Sequence, residues 1–72
     1  MAELTTKQYD ALERAIVRGS RIAVYRRGME YVVVPKRLRT ERGRETLEST
    51  HPTTGDRLVF FLDELDDIEV VR

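Results

Sequence analysis

Residues 21–34, with the sequence RIAVYRRGMEYVVV, decide the fold. Apolar and other side chains alternate along its first half, which is the period of a half-buried β strand. Its second half is rich in β-branched and aromatic residues, which favour strands. Arg27-Gly28 fits a two-residue hairpin turn between the two halves. The pattern predicts an antiparallel hairpin that pairs Ile22 with Val33 and Val24 with Tyr31 across one apolar face.

A helix is predicted immediately before this hairpin, over residues 6–18. Thr5 and Gln8 are spaced as a capping box, in which each side chain binds the backbone N–H of the other residue. Tyr9, Leu12 and Ile16 then recur at helical spacing, and Gly19 supplies the stop signal. Ala23, Val32 and Val34 leave the second face of the hairpin partly apolar, so the helix could cover that face.

Short strands are also predicted after the hairpin. Pro35 cannot donate to a sheet ladder, so the second strand is expected to end or to reach an edge there. The polar stretch 36–44 is expected to be an exposed crossing or an irregular edge strand, with a loop at 41–43. The remaining predictions are a strand at 45–50, a turn at 51–56, a strand at 57–62 apolar on both faces, an acidic bend with one helical turn at 63–67, and a strand at 68–71.

These elements predict a mainly β fold with one N-terminal helix. Five short antiparallel strands avoid exposed edges by rolling into a small barrel. We therefore expect a five-stranded SH3-like or Sm-like barrel over residues 21–71, with the helix over one opening. The alternative is an open antiparallel α+β sheet covered by the helix. The 72 residues are expected to form a single domain, 1–72.

Composition excludes several classes of function. There is no cysteine, which removes disulfides, cysteine zinc sites and thiol catalysis. No apolar run approaches the roughly 20 residues that span a bilayer, and the first residues do not resemble a signal peptide. His51, the single histidine, precedes a proline at a turn and has no partner at a recognisable catalytic spacing. We expect a cytoplasmic protein that is not an enzyme, with no catalytic residues, no metal site, no cofactor and no membrane partner.

The formal net charge of zero hides a separation of charge along the chain. Residues 14–44 contain ten basic and two acidic residues, an excess of +8. Residues 45–72 contain eight acidic and two basic residues, an excess of −6. The acidic run at 63–67 lacks the alternating ligands and the glycine of a calcium loop, so it is interpreted as a solvated turn.

Eleven of the thirteen basic residues are arginines, whose planar guanidinium suits phosphate and stacks on bases. The basic stretch is interpreted in two ways: its side chains pair with the acidic half of the chain, or they form a face for an anionic ligand. For the second interpretation the predicted ligand- or nucleic-acid-binding residues are Arg26, Arg27, Arg37, Arg39, Arg42 and Arg44, with Tyr25 as an added stacking contact.

Residues 21–70 resemble the WYL domain, a small Sm/SH3-like β-barrel of bacterial regulators. The matching segments are Val24-Tyr25-Arg26, then Val34-Pro35 with Leu38, then residues 43–49 at the family's Trp-Tyr-Leu strand, and finally residues 60–65 (FFLDEL). The resemblance implies a barrel and a role in sensing nucleotide or nucleic-acid effectors.

This chain departs from the WYL pattern at the positions that are thought to line the family's ligand site. Glu45-Thr46-Leu47 keeps only the leucine of Trp-Tyr-Leu, and Glu64 replaces an arginine. A second family arginine aligns with Leu58, next to Arg57. The resemblance therefore implies the barrel more strongly than the ligand site.

The predicted function is a non-enzymatic binding or regulatory module that recognises nucleic acid or a nucleotide-like anionic ligand through its arginines. The alternative is a protein–protein interaction or homodimerisation module. In that case the basic and acidic surfaces of two copies, or of this chain and a larger protein, would meet.

Overall fold

The computed structural model describes residues 4–71. Helix α1 spans Thr6–Arg18, as predicted, and begins with the expected capping box. The Gln8 N–H donates to Thr5 Oγ1 at 3.1 Å, and the Thr5 N–H donates to Gln8 Oε1 at 2.8 Å. Gly19 ends the helix in the left-handed conformation, with φ of 68°, which glycine adopts without the steric cost of a Cβ.

Five antiparallel strands follow the helix and form one sheet in the order β4-β3-β2-β1-β5. Their bounds are Ile22–Arg26 (β1), Met29–Glu41 (β2), Arg44–Thr50 (β3), Arg57–Phe61 (β4) and Asp67–Val70 (β5), with a short 3-10 helix, η1, at Leu62–Glu64.

The predicted hairpin is confirmed, including its register. Ile22 lies opposite Val33 and Val24 opposite Tyr31, while Arg26 and Met29 close the turn. Arg27 and Gly28 both have positive φ, 52° and 76°, which matches the right-handed twist of the flanking strands. The β2–β3 hairpin has the same kind of two-residue turn, with positive φ at residues 42 and 43.

The alternative of an irregular edge strand is confirmed for residues 36–41, which within residues 4–71 pair with β3 on one side only and follow a shift in register. Strand β2 continues through Pro35 to Glu41; its residues 29–33 pair with β1 and its residues 34–41 pair with β3. Pro35 is tolerated because β2 changes partner there: its pairs with β1 end at Val33, and its pairs with β3 begin at Val34. A proline at that position removes no hydrogen bond to β1. Immediately after Pro35 the register with β3 shifts by one residue: Pro35 lies opposite Ser49, and Arg37 lies opposite Glu48. Strand β2 therefore has one extra residue here, a β-bulge.

The predicted closed barrel is wrong, and the alternative of an open sheet covered by the helix is confirmed. Within residues 4–71, β4 pairs only with β3 and β5 pairs only with β1. The connection between these two edge strands forms η1 and places Leu62 and Leu65 in the core. This segment therefore contributes side chains to the core where a barrel would need backbone pairing.

The core lies between α1 and the sheet face that carries Ile22, Val24 and Val33. Leu12 and Ala15 of α1 join this cluster, and the helix contacts β2 and β5. The helix thus covers the first face of the hairpin and not the second. Strand β4 is less buried than expected, because Phe60 is its only fully buried residue.

Candidate anion-binding site

Three arginines converge on one carboxylate on the sheet face opposite the core. Arg39 Nη1 lies 3.2 Å and Arg57 Nη2 3.3 Å from Glu48 Oε2, while Arg37 Nε lies 3.3 Å from Glu48 Oε1. The Arg39 contact is also a hydrogen bond. We call Arg37, Arg39 and Arg57 around Glu48 the arginine cluster.

The register shift in β2 creates the arginine cluster. Beyond the shift, Arg37 lies opposite Glu48 and Leu38 lies opposite Leu47. Without the extra residue, Lys36 would lie opposite Glu48 and Arg37 opposite the buried Leu47, because a slip of one position moves each side chain to the other face. The bulge therefore keeps Leu38 against the core and turns both arginines of β2 to the outer face.

The third arginine of the cluster comes from β4. Arg57 pairs with Thr50, two residues along β3 from Glu48, and therefore lies on the same outer face as Glu48. Sequence reasoning omitted Arg57 from the site. It belongs to the acidic half of the chain and lies seven positions beyond β3, so no local pattern connects it to Arg37 and Arg39.

Glu48 is shielded while its partners remain open to solvent. The Glu48 side chain is 13% exposed, whereas those of Arg37, Arg39 and Arg57 are 66%, 58% and 68% exposed. Desolvation alone would raise the pKa of Glu48, but the Arg39 hydrogen bond and the charges of Arg57 and Arg37 outweigh it and lower that pKa. With Glu48 ionised, the arginine cluster has a formal charge of +2.

Two further predicted site residues, Arg26 and Arg44, are held by acidic residues of the chain. Arg44 binds Asp63 through two hydrogen bonds, 2.9 Å from Nε and 2.6 Å from Nη2, and its Nη2 lies 3.5 Å from Glu64. Its guanidinium also lies 3.8 Å from the Phe61 ring centre. Arg26 lies 3.9 Å from Glu64. The interpretation that the basic half pairs with the acidic half holds for these two arginines.

The pairing of Arg44 with Asp63 also affects titration. The bidentate hydrogen bond from Arg44 lowers the pKa of Asp63, against a smaller opposing effect of desolvation. Because Arg26 and Arg44 face two carboxylates, this second group of charges is neutral overall. It offers less free positive charge than the arginine cluster.

The remaining predicted site residues lie apart from the arginine cluster. Tyr25 donates a hydrogen bond to Glu30 Oε2 at 2.8 Å. That bond, followed by partial burial and the negative charges of nearby carboxylates, raises the pKa of Tyr25 to about 12. Arg27 and Arg42 occupy the two hairpin turns and are exposed, and the Arg27 N–H donates to Asp66. The structure therefore does not bring all seven predicted residues onto one surface.

His51 and the acidic run at 63–67 both contact other groups of this chain. His51 Nδ1 accepts the backbone N–H groups of Thr53 and Thr54, at 3.1 and 3.2 Å, which fixes the turn before β4. Across residues 4–71, no group of three or more acidic or histidine side chains is placed to hold a metal ion. In the same range, no helix is long and apolar enough to cross a membrane.

Comparison with known proteins gives evidence for the fold. No family model matches the chain, and no curated protein matches it. Among solved structures, the chain is similar to part of the proteasome accessory factor B/C (PafBC) of Arthrobacter aurescens, with 19% sequence identity and a TM-score of 0.74. The match covers 96% of this chain and 12% of the PafBC chain. The chain spans about an eighth of the length of PafBC, and the similarity gives loose support to a WYL-like fold.

Proposed function

We propose that this chain is a non-enzymatic binding module that recognises nucleic acid or a nucleotide-like anionic ligand through the arginine cluster. The observation that carries the proposal is the convergence of Arg37, Arg39 and Arg57 on Glu48. A single shielded carboxylate holds three exposed guanidinium groups together on one face of the sheet. A fixed group of cations with an excess of positive charge suits a phosphate.

Each guanidinium retains donors for a ligand. An arginine side chain carries five N–H donors; Arg39 donates a hydrogen bond to Glu48, and Arg37 and Arg57 form ion pairs with it. The other donors are available on side chains that are more than half exposed. Because Glu48 already restrains the three side chains, less conformational entropy is lost when a phosphate binds them.

The family resemblance supports the regulatory side of the proposal. The WYL-like fold implies effector sensing, and the similarity to part of PafBC supports that fold. The arginine cluster lies directly after the segment that replaces Trp-Tyr-Leu, since Glu48 follows Leu47 in β3. The proposed contact is therefore with phosphate, and it does not depend on the family's missing aromatic residues.

A binding titration tests the proposed function. Fluorescence anisotropy of a labelled oligothymidylate at about 50 mM salt compares the wild type with the Arg37→Ala/Arg39→Ala/Arg57→Ala variant. The matched control is Arg14→Ala/Arg18→Ala/Arg21→Ala, which removes the same formal charge from another part of the surface. Circular dichroism confirms that each variant is folded.

The two variants are expected to differ. Loss of the arginine cluster should abolish measurable binding, while the control variant should retain most of it. Equal loss in both variants would show attraction by total charge alone and would contradict the proposal. Absence of binding by the wild type to DNA, RNA and free nucleotides would contradict it as well.

Homodimerisation through complementary charge has less support. The four acidic residues of the run at 63–67 are already bound within the chain. Asp63 and Glu64 contact arginines, Asp66 accepts the Arg27 N–H, and Asp67 accepts Gln8 Nε2 at 2.6 Å. A second copy would have to break these contacts to use that surface.

A further inference from the structure

A second basic surface lies away from the arginine cluster, in a groove between α1 and the end of β5. The groove has a volume of about 530 Å³. Its lining includes Ala11, Arg14, Ala15, Arg18, Val70 and Val71. The alanines and valines supply apolar lining, and Arg14 and Arg18 supply positive charge.

Strand β5 presents an open backbone edge to this groove. Within residues 4–71, β5 pairs only with β1, and the Val71 N–H donates to the Arg21 carbonyl at 3.1 Å. Backbone groups of successive residues in a strand point to opposite edges. The N–H and C=O of Val70 therefore point away from β1, toward the unpaired edge.

Two residues earlier, at Ile68, the outward backbone N–H is already bound within the chain. The Ile68 N–H, which points the same way as that of Val70, donates to Asp67 Oδ1 at 2.8 Å. Gln8 of α1 donates to the same oxygen at 2.6 Å. These contacts block strand addition at Ile68 and leave Val70 as the open position, next to the groove.

The charges and the exposed apolar residues of this region favour one kind of occupant. Within residues 4–71, neither Arg14 nor Arg18 pairs with a carboxylate. The two are four positions apart and lie on the same side of the helix. Val70 and Val71, which line the groove, are 45% and 39% exposed. Carboxylates and apolar side chains would complement these groups.

We propose that the groove binds an extended acidic peptide segment of a partner protein. The segment adds to the edge of β5 by hydrogen bonding to Val70, places carboxylates on Arg14 and Arg18, and packs apolar side chains on the valines and alanines. Strand addition at an open sheet edge is an established form of peptide recognition. Nucleic acid suits this groove less well, because its lining has no aromatic side chain on which a base could stack.

Anisotropy of a short fluorescein-labelled peptide of alternating glutamate and valine tests the proposal. Arg14→Ala/Arg18→Ala removes the charges while keeping good helix formers. Val70→Pro removes the outward N–H and leaves the Val71 bond to β1 in place. Lys7→Ala/Lys36→Ala is the control for total charge, because both lysines are exposed and lie outside the groove and the arginine cluster. Circular dichroism monitors folding in all three variants.

The wild type is expected to bind the peptide. The Arg14/Arg18 variant should bind about tenfold more weakly, and Val70→Pro should also weaken binding. The Lys7/Lys36 control should bind within about twofold of the wild type. No binding by the wild type, or equal weakening by the control, would overturn the proposal. If the Arg14/Arg18 variant bound oligothymidylate more weakly but bound the peptide as the wild type does, the groove would be assigned to nucleic acid. That result would also overturn the peptide proposal.

The peptide test does not depend on the proposed function of the arginine cluster. A chain that binds the peptide but no oligonucleotide would support the groove and contradict the proposed nucleic-acid role. A chain that binds the oligonucleotide but not the peptide would support the arginine cluster and contradict the proposed peptide site.

Discussion

Removal of one arginine at a time from the arginine cluster should change the salt dependence of oligonucleotide binding in equal steps. Arg37, Arg39 and Arg57 each lie within 3.3 Å of Glu48 and are more than half exposed. If each contacts one phosphate, the three replace three condensed counterions on the nucleic acid. Release of these counterions makes the affinity fall as salt is added.

The expected slopes follow from the number of contacts. For a single strand each phosphate contact contributes about −0.7 to the slope of log affinity against log salt, so three contacts give about −2.1. Between about 50 and 200 mM salt the wild-type affinity should fall about 18-fold. A variant that lacks one arginine of the cluster should have a slope of about −1.4 and a fall of about 7-fold.

The assay is anisotropy of labelled oligothymidylate at a series of salt concentrations, with single alanine variants at residues 37, 39 and 57. Arg21→Ala is the matched control, because Arg21 is exposed and lies outside the arginine cluster. Its slope should equal that of the wild type. Equal slopes for all four variants, or a reduced slope for the control alone, would refute the assignment of the phosphate contacts.

Three other outcomes are expected. The pKa of Asp63 is lowered in the folded chain from the value near 3.8 that an unpaired aspartate has. Ionised Asp63 therefore stabilises the fold above pH 3.8, and this stabilisation is lost as the pH falls below that value. Between pH 5 and pH 3 the urea midpoint should drop by less in Asp63→Asn than in the wild type. Tyr25 has a pKa of about 12, and Tyr25→Phe should remove a phenolate absorbance step at that pH. Leu47 is fully buried, so Leu47→Ala should lower the free energy of unfolding by about 2–5 kcal/mol, and calorimetry should show a largely unfolded chain. In the control Val17→Ala, at an 86% exposed position, the free energy of unfolding should change by less than about 0.5 kcal/mol.

Local signals allowed the sequence to predict α1 and the first hairpin in detail. The capping box of Thr5 and Gln8 and the stop at Gly19 lie within a few residues of the helix ends that they set. The Arg27-Gly28 turn determines the register of β1 and β2, since a two-residue loop leaves only one pairing of the strands. Each of these features depends on neighbouring residues alone.

The long β2 strand and the open sheet could not be predicted in the same way. Proline is ordinarily a signal that a central strand ends. Pro35 is accommodated because β1 stops short of it while β3 starts beside it, and this exchange of partners depends on the whole sheet. The barrel was expected from strand number and length, yet η1 fills the core with Leu62 and Leu65 and leaves both edges unpaired.

The candidate site was predicted only in part for a related reason. Alternation along the strand correctly suggests that Arg37 and Arg39 share a face, but their meeting with Glu48 depends on the bulge, and the arrival of Arg57 depends on β4 pairing with β3. In the same way, Arg44 and Asp63 are nineteen residues apart in sequence. Which arginines are free and which are paired is therefore a property of the three-dimensional structure.

The most direct test of the arginine cluster is an NMR titration of the guanidinium Nε–H signals with oligothymidylate. The proposed function predicts that the signals of Arg37, Arg39 and Arg57 shift together and saturate at one ligand concentration, while that of Arg44, held by Asp63, stays in place. Shifts spread evenly over all arginines, or confined to residues outside the arginine cluster, would contradict the claim that these three residues form the anion-binding site.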